Sequence, residues 1–125
     1  MAKILVVDDS EYVRVQLRES LNNGGYQTVE AADGAQGLQV LAENSDVKMI
    51  LCDVNMPNMD GYAMCKVVKE NEKNKEIPFI MLTTEGSAEM KARGKAVGVM
   101  AWVTKPFNEV NLLDVVNKLL LAKKT

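Results

Sequence analysis

The chain has 125 residues, with 15 Lys and Arg against 17 Asp and Glu, and its formal net charge is -2. This length suits one domain, and the small net charge offers no electrostatic footprint for nucleic acid. The chain has no histidine, which excludes Ser-His-Asp and Cys-His catalysis, His-ligated zinc and phosphohistidine chemistry on its own side chains.

Short apolar runs alternate with segments of helical periodicity along the chain. The apolar runs predict strands at 4–7, 28–31, 49–52, 79–82 and 101–103. A residue of a type that commonly caps the amino-terminal end of a helix follows each run, and glycines follow the first and fourth helical segments. The helix starts are Ser10, Asp33 (with Gln36 as a capping box), Asp60, Ser87 and Asn108; the helix ends are Gly24-Gly25 and Gly98.

Five strand-then-helix units predict an open α/β fold, with a parallel sheet covered by helices on both faces. We expect a five-stranded sheet of order 2-1-3-4-5, a flavodoxin-like (βα)5 architecture. No linker or change of composition follows the last helix, so we expect residues 1–125 to form one stand-alone domain without an effector domain. Met49, Met81 and Met100 are expected to fill the core.

Neither the cysteines nor the amino-terminal segment indicates secretion. Cys52 and Cys65 form no Cys-x-x-Cys and no framework of pairs, so each is expected to be a small buried hydrophobe in a reducing compartment. The first apolar run is too short for a signal sequence or a membrane span. We therefore expect a cytoplasmic protein with no membrane and no nucleic-acid partner.

Polar residues interrupt the predicted strands at their carboxyl ends. Asp8 and Asp9 follow the first strand, Asp53 the third, Thr83 the fourth and Lys105 the fifth. Ligands of open α/β sheets bind at this edge, where the strand order reverses. In the order 2-1-3-4-5 the first and third strands are neighbours, so the three aspartates are expected to meet in one cleft.

Three neighbouring carboxylates repel one another and need a counter-charge to remain ionised together. Mg²⁺ and the Lys105 ammonium would supply it, since Mg²⁺ prefers oxygen ligands and the chain offers no His or paired Cys for zinc. This arrangement favours attack by the Asp53 carboxylate on a phosphoryl group. Mg²⁺, Lys105 and the Thr83 hydroxyl would stabilise the charge on the equatorial oxygens of the phosphoryl group.

Four motifs in this order resemble the receiver domain of two-component response regulators over essentially the whole chain. The likeness is strongest to single-domain chemotaxis regulators of the CheY type. The motifs are Val-Val-Asp-Asp-Ser at 6–10, Asp-Val-Asn-Met-Pro-Asn-Met-Asp-Gly at 53–61, Leu-Thr-Thr-Glu at 82–85 and Thr-Lys-Pro-Phe at 104–107.

The resemblance implies a phosphoacceptor and a metal site. Asp53 would accept phosphate from a phosphohistidine of a sensor histidine kinase of the CheA type. Asp9 would bind Mg²⁺ directly, Asp8 through water and Asn55 through its backbone carbonyl. The side chains of Asn55 and Glu85 would tune how water reaches the acyl phosphate, and their identities imply a phosphoryl lifetime of seconds to minutes.

The resemblance also implies a switch. Thr83 would move to the phosphoryl group and Lys105 would pair with it, with a cis bond between Lys105 and Pro106. Thr84 stands where a smaller residue is common, which would slow access of the phosphodonor. Trp102 stands where Tyr or Phe often couples to the threonine's movement, although a partly buried core aromatic is an equally good interpretation of it.

Phosphorylation would shift the fourth helix, fifth strand and fifth helix toward a partner-binding state. The expected partner is a flagellar motor switch protein or another output protein, and we expect a monomer that catalyses only its own phosphoryl transfer and dephosphorylation. A phosphorelay intermediate, a phosphate sink and a phosphate-independent binding module are the alternatives.

Two other functions fit the sequence less well. A phosphohydrolase of the haloacid-dehalogenase kind needs a second carboxylic acid two residues after Asp53, where this chain has Asn55. A nucleotide or flavin module needs a glycine-rich phosphate loop after the first strand, whereas Asp8 and Asp9 would repel phosphate there. Asp60-Gly61 is interpreted as a helix cap and turn only.

Overall fold

The computed structural model describes residues 2–124, the last three of them by their backbone alone. Strands and helices alternate, as the sequence predicts. The elements are β1 (Lys3–Val7), α1 (Glu11–Asn23), β2 (Gln27–Ala31), α2 (Gly34–Glu43), β3 (Val47–Cys52), α3 (Gly61–Glu70), β4 (Phe79–Thr83), α4 (Ala88–Val97), β5 (Ala101–Thr104) and α5 (Glu109–Lys124).

The sheet has the order β2-β1-β3-β4-β5, and all neighbouring strands are parallel. Alternate residues of each strand point to opposite faces, so the strands contribute to two separate apolar cores. Leu5, Ile50 and Met81 pack with α2, α3 and α4, whereas Ile4 and Leu51 pack with α1 and α5. The predicted strand order and the helices on both faces are therefore confirmed.

A side-chain oxygen of the predicted residue caps the amino-terminal end of each helix. Ser10, Asp33, Asp60 and Ser87 each accept a hydrogen bond from the backbone N–H three residues on. Asn108 accepts from the N–H groups of residues 110 and 111. The capping box differs in one respect, because the Gln36 side chain accepts from the N–H of Ala32 rather than from that of Asp33.

Two of the three methionines expected in the core are buried there, and both cysteines are buried as expected. Met49 and Met81 are fully buried, but Met100 is 54% exposed, because it lies in the turn between α4 and β5 rather than on the sheet. Cys52 and Cys65 are buried free thiols, and burial raises the pKa of Cys65 to about 11. Within residues 2–124, none of the helices combines the length and the apolar character needed to cross a bilayer.

Candidate functional site

Backbone hydrogen bonds extend the sheet by one residue at the carboxyl ends of the strands. The Asp53 N–H donates to the carbonyl of Val7 at 2.9 Å, and the Lys105 N–H donates to the carbonyl of Thr83 at 2.8 Å. The Asp8 N–H likewise donates to the carbonyl of a residue in β2 at 3.1 Å. The ladder therefore fixes the backbone of Asp8, Asp53 and Lys105.

Three carboxylates meet at this edge. Asp8, Asp9 and Asp53 each present a carboxylate oxygen, and these oxygens lie within 4.8 Å of one another. The residues differ in exposure: Asp8 is buried, Asp53 is partly buried and Asp9 is exposed. Backbone N–H groups orient the first two, since Ser10 donates to Asp8 Oδ1 at 2.9 Å and Val54 donates to Asp53 Oδ1 at 2.7 Å.

The Lys105 ammonium joins two of these carboxylates. Its Nζ lies 2.6 Å from Asp8 Oδ2 and 3.2 Å from Asp53 Oδ2. Burial raises the pKa of Asp8, and the hydrogen bonds from Lys105 and Ser10 offset this only in part. Burial alone would lower the pKa of Lys105, but its hydrogen bond to Asp8 and the charges of Asp8 and Asp53 outweigh it, so that pKa is raised.

The two threonines occupy different environments. Thr83 is the last residue of β4 and is buried, whereas Thr84 is exposed. Thr84 lines a cavity of about 560 Å³ together with Lys105, Pro106 and Phe107. Residues of α1 line its other side, and Lys105 is the lining residue that also contacts the acidic cluster. The Lys105–Pro106 peptide bond is cis, as expected.

Glu85 connects two loops at the mouth of the cleft. Its carboxylate accepts a hydrogen bond from the Asn55 side-chain amide at 3.1 Å, and its backbone carbonyl accepts one from the Trp102 indole N–H at 2.9 Å. The indole packs against α4, where a Cβ on Gly94 would come within 2.9 Å of it. Trp102 is therefore a partly buried core aromatic that also holds the β4–α4 loop.

Three contacts in and near the site were not predicted from the sequence. A guanidinium nitrogen of Arg14 donates to the carbonyl oxygen of Asp8 at 2.6 Å, and no sequence signal links these residues. A Cβ on Gly61 would lie 2.3 Å from the carbonyl oxygen of Asp53, so Gly61 is more than a helix cap and turn. Asn58 has a φ of 67° and donates to the Asp33 carboxylate at 2.9 Å; the Pro-Asn pair at 57–58 could have indicated this turn.

Comparison with known proteins places this geometry in a family. Residues 4–117 match the response regulator receiver domain. The chain belongs to that family. This match confirms the resemblance stated from the four motifs. Receiver domains are in general signalling proteins of two-component systems and not classical enzymes.

Relatives of this receiver domain include proteins of more than one signalling system. It is 40% identical over 106 residues to the chemotaxis protein CheY1 of Helicobacter pylori, covering 84% of this chain and 86% of that protein. It is 36% identical over 121 residues to the sporulation initiation phosphotransferase F of Bacillus subtilis, covering 97% and 95%. The crystal structure of the chemotaxis protein CheY4 of Vibrio cholerae superposes with a TM-score of 0.90 at 41% identity, covering 95% and 98%.

The receiver domain thus brings most of the predicted site residues into one cleft. Asp8, Asp9, Asp53 and Lys105 meet directly, and Thr83 connects to Lys105 through the backbone. The residues at the rim are joined by the bonds of Glu85 to Asn55 and Trp102, with Thr84 exposed beside them. The chemical roles of all these residues stay predictions.

Proposed function

We propose that this receiver domain accepts a phosphoryl group on Asp53 from a phosphohistidine of a sensor histidine kinase, and that phosphorylation changes its affinity for an output partner. The observation that carries the proposal is the pairing at Asp53. Its Oδ2 lies 3.2 Å from the Lys105 ammonium, and it shares a 4.8 Å cluster with Asp8 and Asp9. The cleft thus joins a partly exposed nucleophile to the charges that a phosphoryl group needs.

The acidic cluster fits Mg²⁺. It offers only oxygen ligands, and one ammonium stands against three carboxylates, so a divalent cation would balance the remaining charge. Asp8, Asp9, Asp53 and the backbone carbonyl of Asn55 would hold the ion. When bound, Mg²⁺ neutralises negative charge on the phosphoryl oxygens.

The chain's own residues perform the transfer. An Asp53 carboxylate oxygen forms a bond to phosphorus as the P–N bond of the donor breaks, and the bonding electrons leave with the imidazole nitrogen. The Lys105 ammonium, already 3.2 Å from Asp53, stabilises charge on the transferred group. Thr83, whose carbonyl is bonded to the Lys105 N–H, moves its hydroxyl to a phosphoryl oxygen.

The output surface is formed by α4, β5 and α5. Glu85 is bonded both to Asn55 at the cleft and to Trp102 on β5, so a change at the cleft is communicated to this surface. The similarity to chemotaxis proteins of the CheY type supports a kinase of the CheA type and a flagellar motor switch protein as partner. We expect a monomer whose phosphoryl group lasts seconds to minutes.

A phosphorelay intermediate is the second candidate. The Bacillus subtilis phosphotransferase covers 97% of this chain, a larger share than the 84% covered by the Helicobacter pylori protein. An intermediate would pass its phosphoryl group on to a histidine of a second protein. Transfer from the labelled protein to a histidine phosphotransfer domain would distinguish it from a switch that loses phosphate to water.

Incubation with acetyl phosphate and Mg²⁺ tests the proposal. We expect acid-stable, base-labile labelling of the wild type, none of Asp53→Asn, and normal labelling of Asp46→Asn, whose carboxylate is exposed and paired with Lys3. Trp102 fluorescence in the same sample reports any change at the output surface. If the wild type does not label and EDTA makes no difference, the phosphate-independent binding module replaces the proposal.

A further inference from the structure

Arg14 reaches from α1 back to the end of β1. It is the fourth residue of α1, and its side chain is only 18% exposed. One guanidinium nitrogen donates to the backbone carbonyl of Asp8 at 2.6 Å. Hydrogen bonds from a charged donor are shorter and stronger than neutral ones, so this contact restrains the β1–α1 turn.

A second anchor holds the guanidinium in place. Arg14 Nε lies 3.4 Å from Glu30 Oε1, and the other oxygen of that carboxylate lies 2.7 Å from Arg18 Nη1. Glu30 belongs to β2 and pairs in register with Val6, two residues before Asp8. Arg14 therefore connects the start of α1 and the end of β1 to a fixed point on the neighbouring strand.

The restrained carbonyl of Asp8 sets the orientation of the peptide unit between Asp8 and Asp9. The carbonyl of Asp8 and the N–H of Asp9 belong to one planar peptide unit, so a fixed oxygen fixes the orientation of that unit. The Asp8 carboxylate is already held by Ser10 and Lys105. In the part of the chain that the structure describes, neither a hydrogen bond nor an ion pair holds the Asp9 carboxylate.

We propose that Arg14 is a positioning residue for the cation site, which holds the Asp8–Asp9 peptide so that the Asp9 carboxylate reaches the ion together with Asp8 and Asp53. The inference rests on the proposed function, because it concerns the same Mg²⁺ site. Arg14 itself carries a positive charge and binds no cation.

Charge and position predict opposite results when Arg14 is replaced. Loss of a nearby positive charge strengthens cation binding by Coulomb's law. Loss of a positioning contact weakens it, and partners that orient metal ligands typically contribute about 10- to 100-fold in affinity. Arg14→Lys keeps the charge but cannot hold the Asp8 carbonyl and Glu30 with the same planar fork.

Isothermal titration with Mg²⁺ at constant ionic strength measures the affinity of the protein prepared without metal. We expect Arg14→Lys and Arg14→Gln to bind Mg²⁺ about tenfold more weakly, with Glu30→Gln intermediate. The matched control is Arg18→Gln, which removes the other partner of Glu30 without touching Asp8; its affinity should stay within about twofold of wild type. If Arg14→Gln does not fold, the Lys variant and Glu30→Gln carry the test.

Two further measurements separate positioning from general damage. In metal-free protein, the Ser10 amide should exchange faster with solvent in Arg14→Gln, because it donates to Asp8 in the restrained turn. In an Asp9→Asn background, Arg14→Gln should weaken Mg²⁺ binding no further. Tighter binding by Arg14→Gln, or unchanged binding by Arg14→Lys, overturns this inference alone; a wild type that binds no Mg²⁺ overturns the proposed function and the inference with it.

Discussion

Gly61, the first residue of α3, has no room for a side chain because the backbone of Asp53 lies against it. A Cβ there would be 2.3 Å from the Asp53 carbonyl oxygen and 3.0 Å from the Met81 methyl. The distance to the Asp53 oxygen is about 1 Å shorter than the 3.4 Å at which ordinary van der Waals contact begins. The Gly61 N–H also donates to the carbonyl of Val54 at 2.9 Å, so α3 cannot retreat freely.

The free-energy cost of Gly61→Ala follows from this overlap. Forcing a methyl group into a packed site costs about 1–3 kcal/mol, and alanine returns only part of the roughly 1 kcal/mol of helix propensity that it gains over glycine in a helix interior, because Gly61 is the first helical residue. We expect a net loss of about 1–2 kcal/mol in the free energy of unfolding. A movement of about 1 Å at the backbone of Asp53 would also displace the carboxylate that we propose to be phosphorylated, so labelling by acetyl phosphate should slow at least tenfold, with about 100-fold as the upper range.

Urea unfolding followed by circular dichroism measures the stability, and labelling of Asp53 measures the reaction. Gly37→Ala is the matched control, since it also replaces a buried helix glycine, and the atoms nearest its Cβ belong to the Met64 and Val7 side chains instead of the backbone. We expect that control to stay within about 1 kcal/mol of wild type and to label normally. Wild-type stability together with a wild-type labelling rate in Gly61→Ala would show that the Asp53 carbonyl does not exclude a side chain at this position.

Three more predictions concern charge and packing around the cleft. Lys105→Met removes the ammonium 2.6 Å from Asp8 and should strengthen Mg²⁺ binding by at least about threefold in calorimetry; weaker binding would contradict the electrostatic account. Burial raises the pKa of Asp8, so the folded state favours its protonated form and loses stability as the pH rises through that pKa. In EDTA, the free energy of unfolding of Asp8→Asn relative to wild type, measured by urea unfolding, should therefore increase from pH 4 to pH 7. Lys105 keeps Asp53 as a partner in this variant. A difference in the free energy of unfolding that does not change with pH would show that the Asp8 charge does not destabilise the folded state. Gly94→Ala places a methyl 2.9 Å from the Trp102 ring and should expel the indole, shifting its fluorescence emission to the red; an unchanged emission maximum would mean that α4 yields instead.

The fold and the list of candidate site residues were predictable because both depend on local patterns. Strands buried on both faces must be apolar throughout, so the polar residues that end them stand out, as Asp53 does after Cys52. Side-chain oxygens that begin helices act within three residues, which is why Ser10 and Asp60 could be assigned from the sequence. Met100 shows the limit of such patterns, because residue type alone does not separate a buried position from an exposed turn.

Contacts between distant segments depended on the tertiary structure. Glu85 meets Asn55 across 30 positions, and Lys105 meets Asp8 across 97. Strand order brings the charged groups to one edge, but which atoms touch depends on side-chain reach and on the twist of the sheet. The sequence alone therefore determined that three carboxylates and a lysine follow strands of one parallel sheet. Only the packed structure decided that Arg14 restrains the Asp8 carbonyl and that the missing side chain of Gly61 admits the Asp53 backbone, because the atoms involved become neighbours only when the helices close onto the sheet.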